Sequence, residues 1–140
     1  MYIEQLAVGQ SAESLKTVSR EDIHAFADIS GDHNPVHLDA DFAATTAFKG
    51  VIAHGMLSAS FISAILGTEL PGEGTIYLGQ NLKFLAPVRP GDLVKTVVTV
   101  KEIVSEKRRV ICQTACFVAD TQVIDGEATL MVPTQRPRKA

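Results

Sequence analysis

Met56-Leu57-Ser58-Ala59-Ser60-Phe61-Ile62-Ser63-Ala64-Ile65-Leu66, followed shortly by Pro71-Gly72-Glu73-Gly74, divides the chain into a helical half and a strand half. The eleven residues from Met56 to Leu66 are apolar on nearly every side, interrupted by three serines. That is the pattern of a helix buried all round. A membrane span needs about 20 apolar residues, so this segment belongs in a core. The Pro-Gly run ends the helical half. Beyond it the hydrophobic period changes to two. Ile76, Leu78, Leu82 and Phe84 then share one strand face, and residues 93–104, 109–118 and 122–132 are rich in β-branched side chains. Turns at Arg89-Pro90-Gly91-Asp92, Ser105-Glu106-Lys107 and Asp120-Thr121 separate these strands, and Gly126 is a candidate bulge. A buried helix followed by four antiparallel strands predicts an α+β fold with the sheet curled around that helix. Leu15 to Val18 is a candidate for a further strand.

The N-terminal half carries the chemistry. Ser19 is placed to cap a helix, with Glu21 and Asp22 in its first turn. Ile23, Phe26 and Ala27 give it an apolar face, and Gly31 a left-handed stop, so residues 20–30 are predicted helical. Asp39 is placed to cap a second short helix through about Ala47. Between them runs Gly31-Asp32-His33-Asn34-Pro35-Val36-His37. Pro35 forbids a continuous helix through this segment, and Asn34 before it is pushed toward extended geometry. The chain must bend, and a bend can bring Asp32 and His37 toward one point. A carboxylate and an imidazole converging on one water make a general acid/base pair. Alone, Asp32 would read as a loop aspartate closing a turn and His37 as a satisfied structural histidine. His33 and His37 have the i, i+4 spacing of a metal pair, but Pro35 breaks the helix that this spacing needs, so no metal is expected. His24 reads as a helix-surface residue.

The wider run, Phe26 to Ala43, resembles the signature of the MaoC-like, or type 2, enoyl-CoA hydratases: aromatic, two residues, aliphatic, small, Gly-Asp-x-Asn-Pro-aliphatic-His, five residues, small. Phe26, Ile29, Ser30, Gly31, Asp32, Asn34, Pro35, Val36, His37 and Ala43 fill every specified position. His54-Gly55-Met56-Leu57, leading into the apolar helix with Ser63, is similar to a second block. Phe84-Leu85-Ala86-Pro87-Val88-Arg89-Pro90-Gly91-Asp92 is similar to a strand and turn of the same family. The resemblance implies a hot-dog fold over residues 1–133, and leaves 134–140 as a short tail with the basic run Arg136-Pro137-Arg138-Lys139, expected to fray. It implies (R)-specific, reversible hydration of trans-2-enoyl-CoA and two copies side by side in one sheet. It also places a serine that supports the active site at Ser63.

The remaining roles are argued from the reaction. Water must lose a proton, the α-carbon must gain one, and the enolate-like thioester oxygen must be stabilised. Asp32 and His37 are the expected catalytic pair. Gly55 stands at the N-terminus of the apolar helix, where free N–H groups and a partial positive charge meet. Its N–H is the candidate oxyanion donor. Asn34 is expected to bond the loop or orient Asp32. His54 reads equally as a ligand contact or as a stabiliser of the loop before the helix.

Composition narrows the classes. A chain of 140 residues with 21% charged and 46% hydrophobic residues fits one globular domain. A net charge of -3 without a basic stripe gives nucleic-acid binding no support. Residues 1–10 are neither basic nor a long apolar run, against a signal peptide, and the shortness of the apolar stretch 56–66 speaks against a membrane. Cys112 and Cys116 on one strand would sit about 13 Å apart, too far for a disulfide. They are expected to be free core thiols, which suits a reducing, cytoplasmic compartment. No cofactor is expected beyond the coenzyme A carried by the substrate, with short to medium acyl chains. Three alternatives also bind an acyl thioester. A hot-dog thioesterase typically uses a lone acid on the central helix, and 56–66 has none. A dehydratase acting on acyl carrier protein would use the same residues. A non-catalytic acyl-CoA binding module would have no use for the Asp32–His37 pair.

Overall fold

The computed structural model describes residues 1–136. Five strands form one antiparallel sheet in the order β1-β3-β4-β5-β2: β1 Ser11–Thr17, β2 Ile76–Phe84, β3 Leu93–Val104, β4 Arg109–Val118 and β5 Thr121–Met131. Four helices precede β2: α1 Arg20–Ser30, α2 Pro35–Leu38, α3 Ala40–Ala44 and α4 Gly55–Thr68. The inner face of the sheet alternates as period two demands. Val94, Thr96, Val98 and Val100 of β3 are buried beside Val110, Cys112, Thr114 and Cys116 of β4. Leu57, Phe61, Ile62, Ile65 and Leu66 of α4 complete this core. Both cysteines are free and buried. Among the described residues no helix is long and apolar enough to cross a membrane.

Several expectations change. The N-terminal strand begins earlier, at Ser11, and pairs with β3 through Thr17, while Val18 is fully buried. The apolar helix is not covered all round. Gly55, Met56, Ser60, Ser63, Ala64 and Gly67 lie exposed along one stripe, because the sheet curls against the opposite side only. On β2 the register shifts between Tyr77 and Gly79, so Leu78 has no partner on β5 and the alternation is reset there. Ile76, paired with Met131, therefore leaves the face that carries Leu82 and Phe84. Gly126 is not a bulge: it pairs in register with Leu82 and Thr114. It is glycine because a Cβ there would collide with the Asn81 carbonyl oxygen. In the tail, Thr134 and Gln135 are bonded to the Glu4 carboxylate rather than loose. Pro137, Arg138 and Lys139 lie outside the described residues.

The helical half is built from caps. Ser19 Oγ accepts the Asp22 N–H while Asp22 accepts the Ser19 N–H, each at 3.0 Å, a reciprocal capping box. Gly31 closes α1 at φ 80°, a conformation that favours glycine. Asp39 caps α3 by accepting the N–H groups of Asp41 and Phe42, and the helix stops at Ala44.

Candidate active site

The segment from Asp32 to His37 is more regular than a bent loop. Pro35 does not only interrupt: it is the first residue of α2, where a missing N–H costs nothing. Asn34 is its N-cap, its side-chain oxygen accepting the Val36 N–H at 3.2 Å. The Asp32 carboxylate in turn accepts the Asn34 N–H at 3.2 Å. Asn34 thus serves twice, its backbone orienting Asp32 and its side chain starting the turn that carries His37.

His37 is half-buried, and its Nδ1 lies 2.8 Å from the Ile52 carbonyl. A carbonyl only accepts, so Nδ1 carries the proton and, in the neutral ring, Nε2 is left as an acceptor. His54 is almost fully buried, at 2% exposure. Its Nε2 lies 2.9 Å from the Asp32 carbonyl, and its ring stacks on His37 with centroids 3.8 Å apart and planes at 28°. One carboxylate oxygen of Asp32 and one ring nitrogen from each histidine all fall within 4.8 Å of one another. This donor set resembles a cation site, but its geometry fits one poorly. Lone pairs of stacked rings lie in nearly parallel planes and do not converge on one point, and the free Nδ1 of His54 is buried. His33 plays no part: it is exposed and faces α1, its Nε2 3.3 Å from Asp28.

Gly55 follows His54 as the first residue of α4, where N–H groups have no partner within the helix. His37, His54 and Gly55 line a cavity of about 350 Å³, closed by Met56, Ser58, Phe84 and Val88 among others. A Cβ on Gly55 would come within 2.5 Å of the Phe84 ring. Glycine therefore lets ring and helix terminus meet and leaves the N–H accessible. Ser63 is elsewhere. It sits eight residues along α4, about 12 Å from Gly55, in a second hollow with Phe26, Ser60, Tyr77 and Gln80. Met56 borders both hollows. The Ile52 carbonyl and the stacked role of His54 were not foreseen. A backbone acceptor leaves no residue-type signal, and stacking depends on two segments meeting through the Ile52 N–H bond to the Val36 carbonyl.

Residues 5–125 match the family described as MaoC like domain. The chain belongs to this MaoC-like family. A curated relative named (R)-specific enoyl-CoA hydratase, from Rhodospirillum rubrum, is 57% identical over 134 residues, covering 96% of this chain and 93% of the relative. The unliganded R-hydratase of Pseudomonas aeruginosa superposes with a TM-score of 0.90 at 48% identity, covering 99% of this chain and 92% of that one. An (R)-hydratase from Aeromonas caviae, described as involved in polyhydroxyalkanoate biosynthesis, also gives 0.90, at 44% identity over 93% of this chain and 99% of its own. These MaoC-like neighbours share the hot-dog fold, with the sheet curled around the central helix.

Proposed function

We propose that this protein hydrates trans-2-enoyl-CoA to (R)-3-hydroxyacyl-CoA and runs the reverse dehydration, as a hydro-lyase. The observation that carries the reading is the Asp32 carboxylate and the His37 ring brought together beside the N-terminus of α4. A substrate thioester oxygen placed on the Gly55 N–H puts the alkene against that pair. The pair takes one proton from a held water as its oxygen bonds the β-carbon. Charge passes to the thioester oxygen, where the N–H and helix terminus stabilise it. The same pair returns a proton to the α-carbon, so water adds in full and from one face. His37 Nε2 and the Asp32 carboxylate are both acceptors suited to the first transfer. Asn34 orients Asp32. No resident cofactor or metal enters the reaction. Ser63 supports the site indirectly, from the hollow beyond Met56 that receives the acyl chain.

The partner is a second copy. β2 is an edge strand whose Ile76, Tyr77, Leu78 and Phe84 are 40–54% exposed, next to the open stripe of α4. Unpaired apolar edges invite pairing. Joining β2 to its symmetry mate would extend the sheet and roof the second hollow. Short to medium acyl groups, the cytoplasm and supply of polyhydroxyalkanoate monomers fit this reading. A panel of crotonyl-CoA, hexenoyl-CoA and longer enoyl-CoAs, followed by loss of the enoyl-thioester absorbance, tests it. The rate should fall with the longest chains; a panel without any hydration would refute it. Matching acyl carrier protein thioesters in the same panel decide the carrier.

A further inference from the structure

His54 occupies the N-cap of α4, yet its side chain does not cap that helix. Ser19, Asn34 and Asp39 all cap theirs. The His54 side chain instead reaches back 22 residues to the Asp32 carbonyl. That carbonyl accepts only, so Nε2 bears the hydrogen and Nδ1 is left as a lone pair. Nδ1 is buried and has no partner, as is the hydroxyl of Ser58 on the same cavity wall. The ring lies against His37 at 3.8 Å, and the Phe26 ring packs on it at 4.9 Å with a tilt of 53°. A helix start thus gives up a cap and buries an orphan nitrogen in order to make these contacts.

We propose that His54 is a positioning residue that locks the acid/base pair to the oxyanion donor. Its N–H holds the backbone of Asp32, and its ring face sets the plane of His37. Its own peptide leads directly to the Gly55 N–H. Two residues earlier, the Ile52 carbonyl holds His37 Nδ1. The short run from Ile52 to Gly55 therefore fixes all three reacting groups against one another. His54 borders the cavity but is 2% exposed with its free Nδ1 buried, so it acts through the groups it holds rather than on the substrate. The kinetic consequence rests on the hydratase reading; the tautomer does not.

Three substitutions separate the contacts. His54→Phe keeps the stack and removes the donor. His54→Gln keeps an amide N–H near the place of Nε2 and removes the stack. His54→Ala removes both. A misplacement of about 1 Å costs about 10²-fold in rate. For crotonyl-CoA hydration, kcat should fall by about that factor in His54→Ala, with KM within about twofold, since an interaction that acts only on the transition state lowers kcat alone. His54→Gln should recover at least about tenfold over His54→Ala, and His54→Phe less. Unchanged kcat in His54→Phe would overturn the donor role, as would a glutamine variant no better than alanine. Raised KM at constant kcat would make His54 a substrate contact instead. Should the alanine and phenylalanine variants not fold, the folded glutamine variant still decides, because a loss of about 10²-fold there contradicts rescue. Independently, nitrogen-15 NMR of the wild-type ring should show a slowly exchanging Nε2–H. An Nδ1–H tautomer would refute the proposal even if the protein hydrated no enoyl-CoA, and the wild-type rate reports separately on the hydratase reading.

Discussion

Asp32→Asn isolates the charge of the candidate acid/base pair, because the structure shows what survives the change. Asp32 is exposed, and its side-chain oxygen accepts one N–H, from Asn34 at 3.2 Å. A carboxamide oxygen can accept the same bond. The Asp32 N–H to Ser30 Oγ and the Asp32 carbonyl to His54 are backbone contacts and persist. Surface changes of this kind stay within about 0.5 kcal/mol, so the melting temperature should move by less than about 3 °C. Catalysis should not survive so well. An amide neither takes a proton from water nor carries the charge that complements His37. General acid/base contributions run about 10²–10⁴-fold, or about 3–5 kcal/mol of barrier at 1.36 kcal/mol per decade. Initial rates on saturating crotonyl-CoA, with calorimetry on the same sample, should show kcat down by at least about 10²-fold at an unchanged fold. His37→Ala should lose a similar factor, and the double variant far less than the product, because the two act on one water. An Asp32→Asn protein that keeps more than about a tenth of the wild-type kcat would refute the assignment.

Gly55→Ala should displace the Phe84 ring, which a Cβ would approach to 2.5 Å, and lower kcat/KM by up to about 10²-fold; unaltered kinetics would remove Gly55 from the oxyanion site. Burial pushes the Cys112 thiol up to about 11, so folding favours the protonated form. That contribution is complete below the ordinary value of 9.0 and is lost as pH rises through 11. Urea midpoints should therefore fall between pH 9 and 11, and fall less in Cys112→Val; parallel curves would contradict this. Light scattering at micromolar concentration should report twice the chain mass of 15.0 kDa or a multiple of that, and a fully active monomer would exclude pairing through β2.

Local signals were the legible ones. Ser19, Gly31 and Asp39 each announced a helix end by residue type, and the ends lie there. The Asp32–His37 convergence was legible because a proline stops a preceding helix from running on through the segment. What α2 shows is that the same proline also begins a helix, a choice that depends on whether an N-cap precedes it, as Asn34 does. The exposed stripe of α4 escaped notice because Ala, Gly and Ser suit either side of a helix. The slip at Leu78 follows from how β2 registers on β5, which no single strand records. Gly126 needed glycine for its neighbour across the sheet, not for its own backbone. His54 was readable only as one of two roles, since its partners lie 22 and 17 residues away.

In the proposed reaction Asp32 and His37 direct water to the alkene and leave the thioester whole. Crotonyl-CoA and butyryl-CoA, incubated in parallel with the enzyme, test it most directly, with free thiol and 3-hydroxybutyryl-CoA chirality both measured. The products should be (R)-3-hydroxybutyryl-CoA with its thioester intact and no thiol from butyryl-CoA, at a rate that EDTA treatment leaves the same. Thiol released from butyryl-CoA faster than crotonyl-CoA is hydrated would contradict it and make the protein a thioesterase.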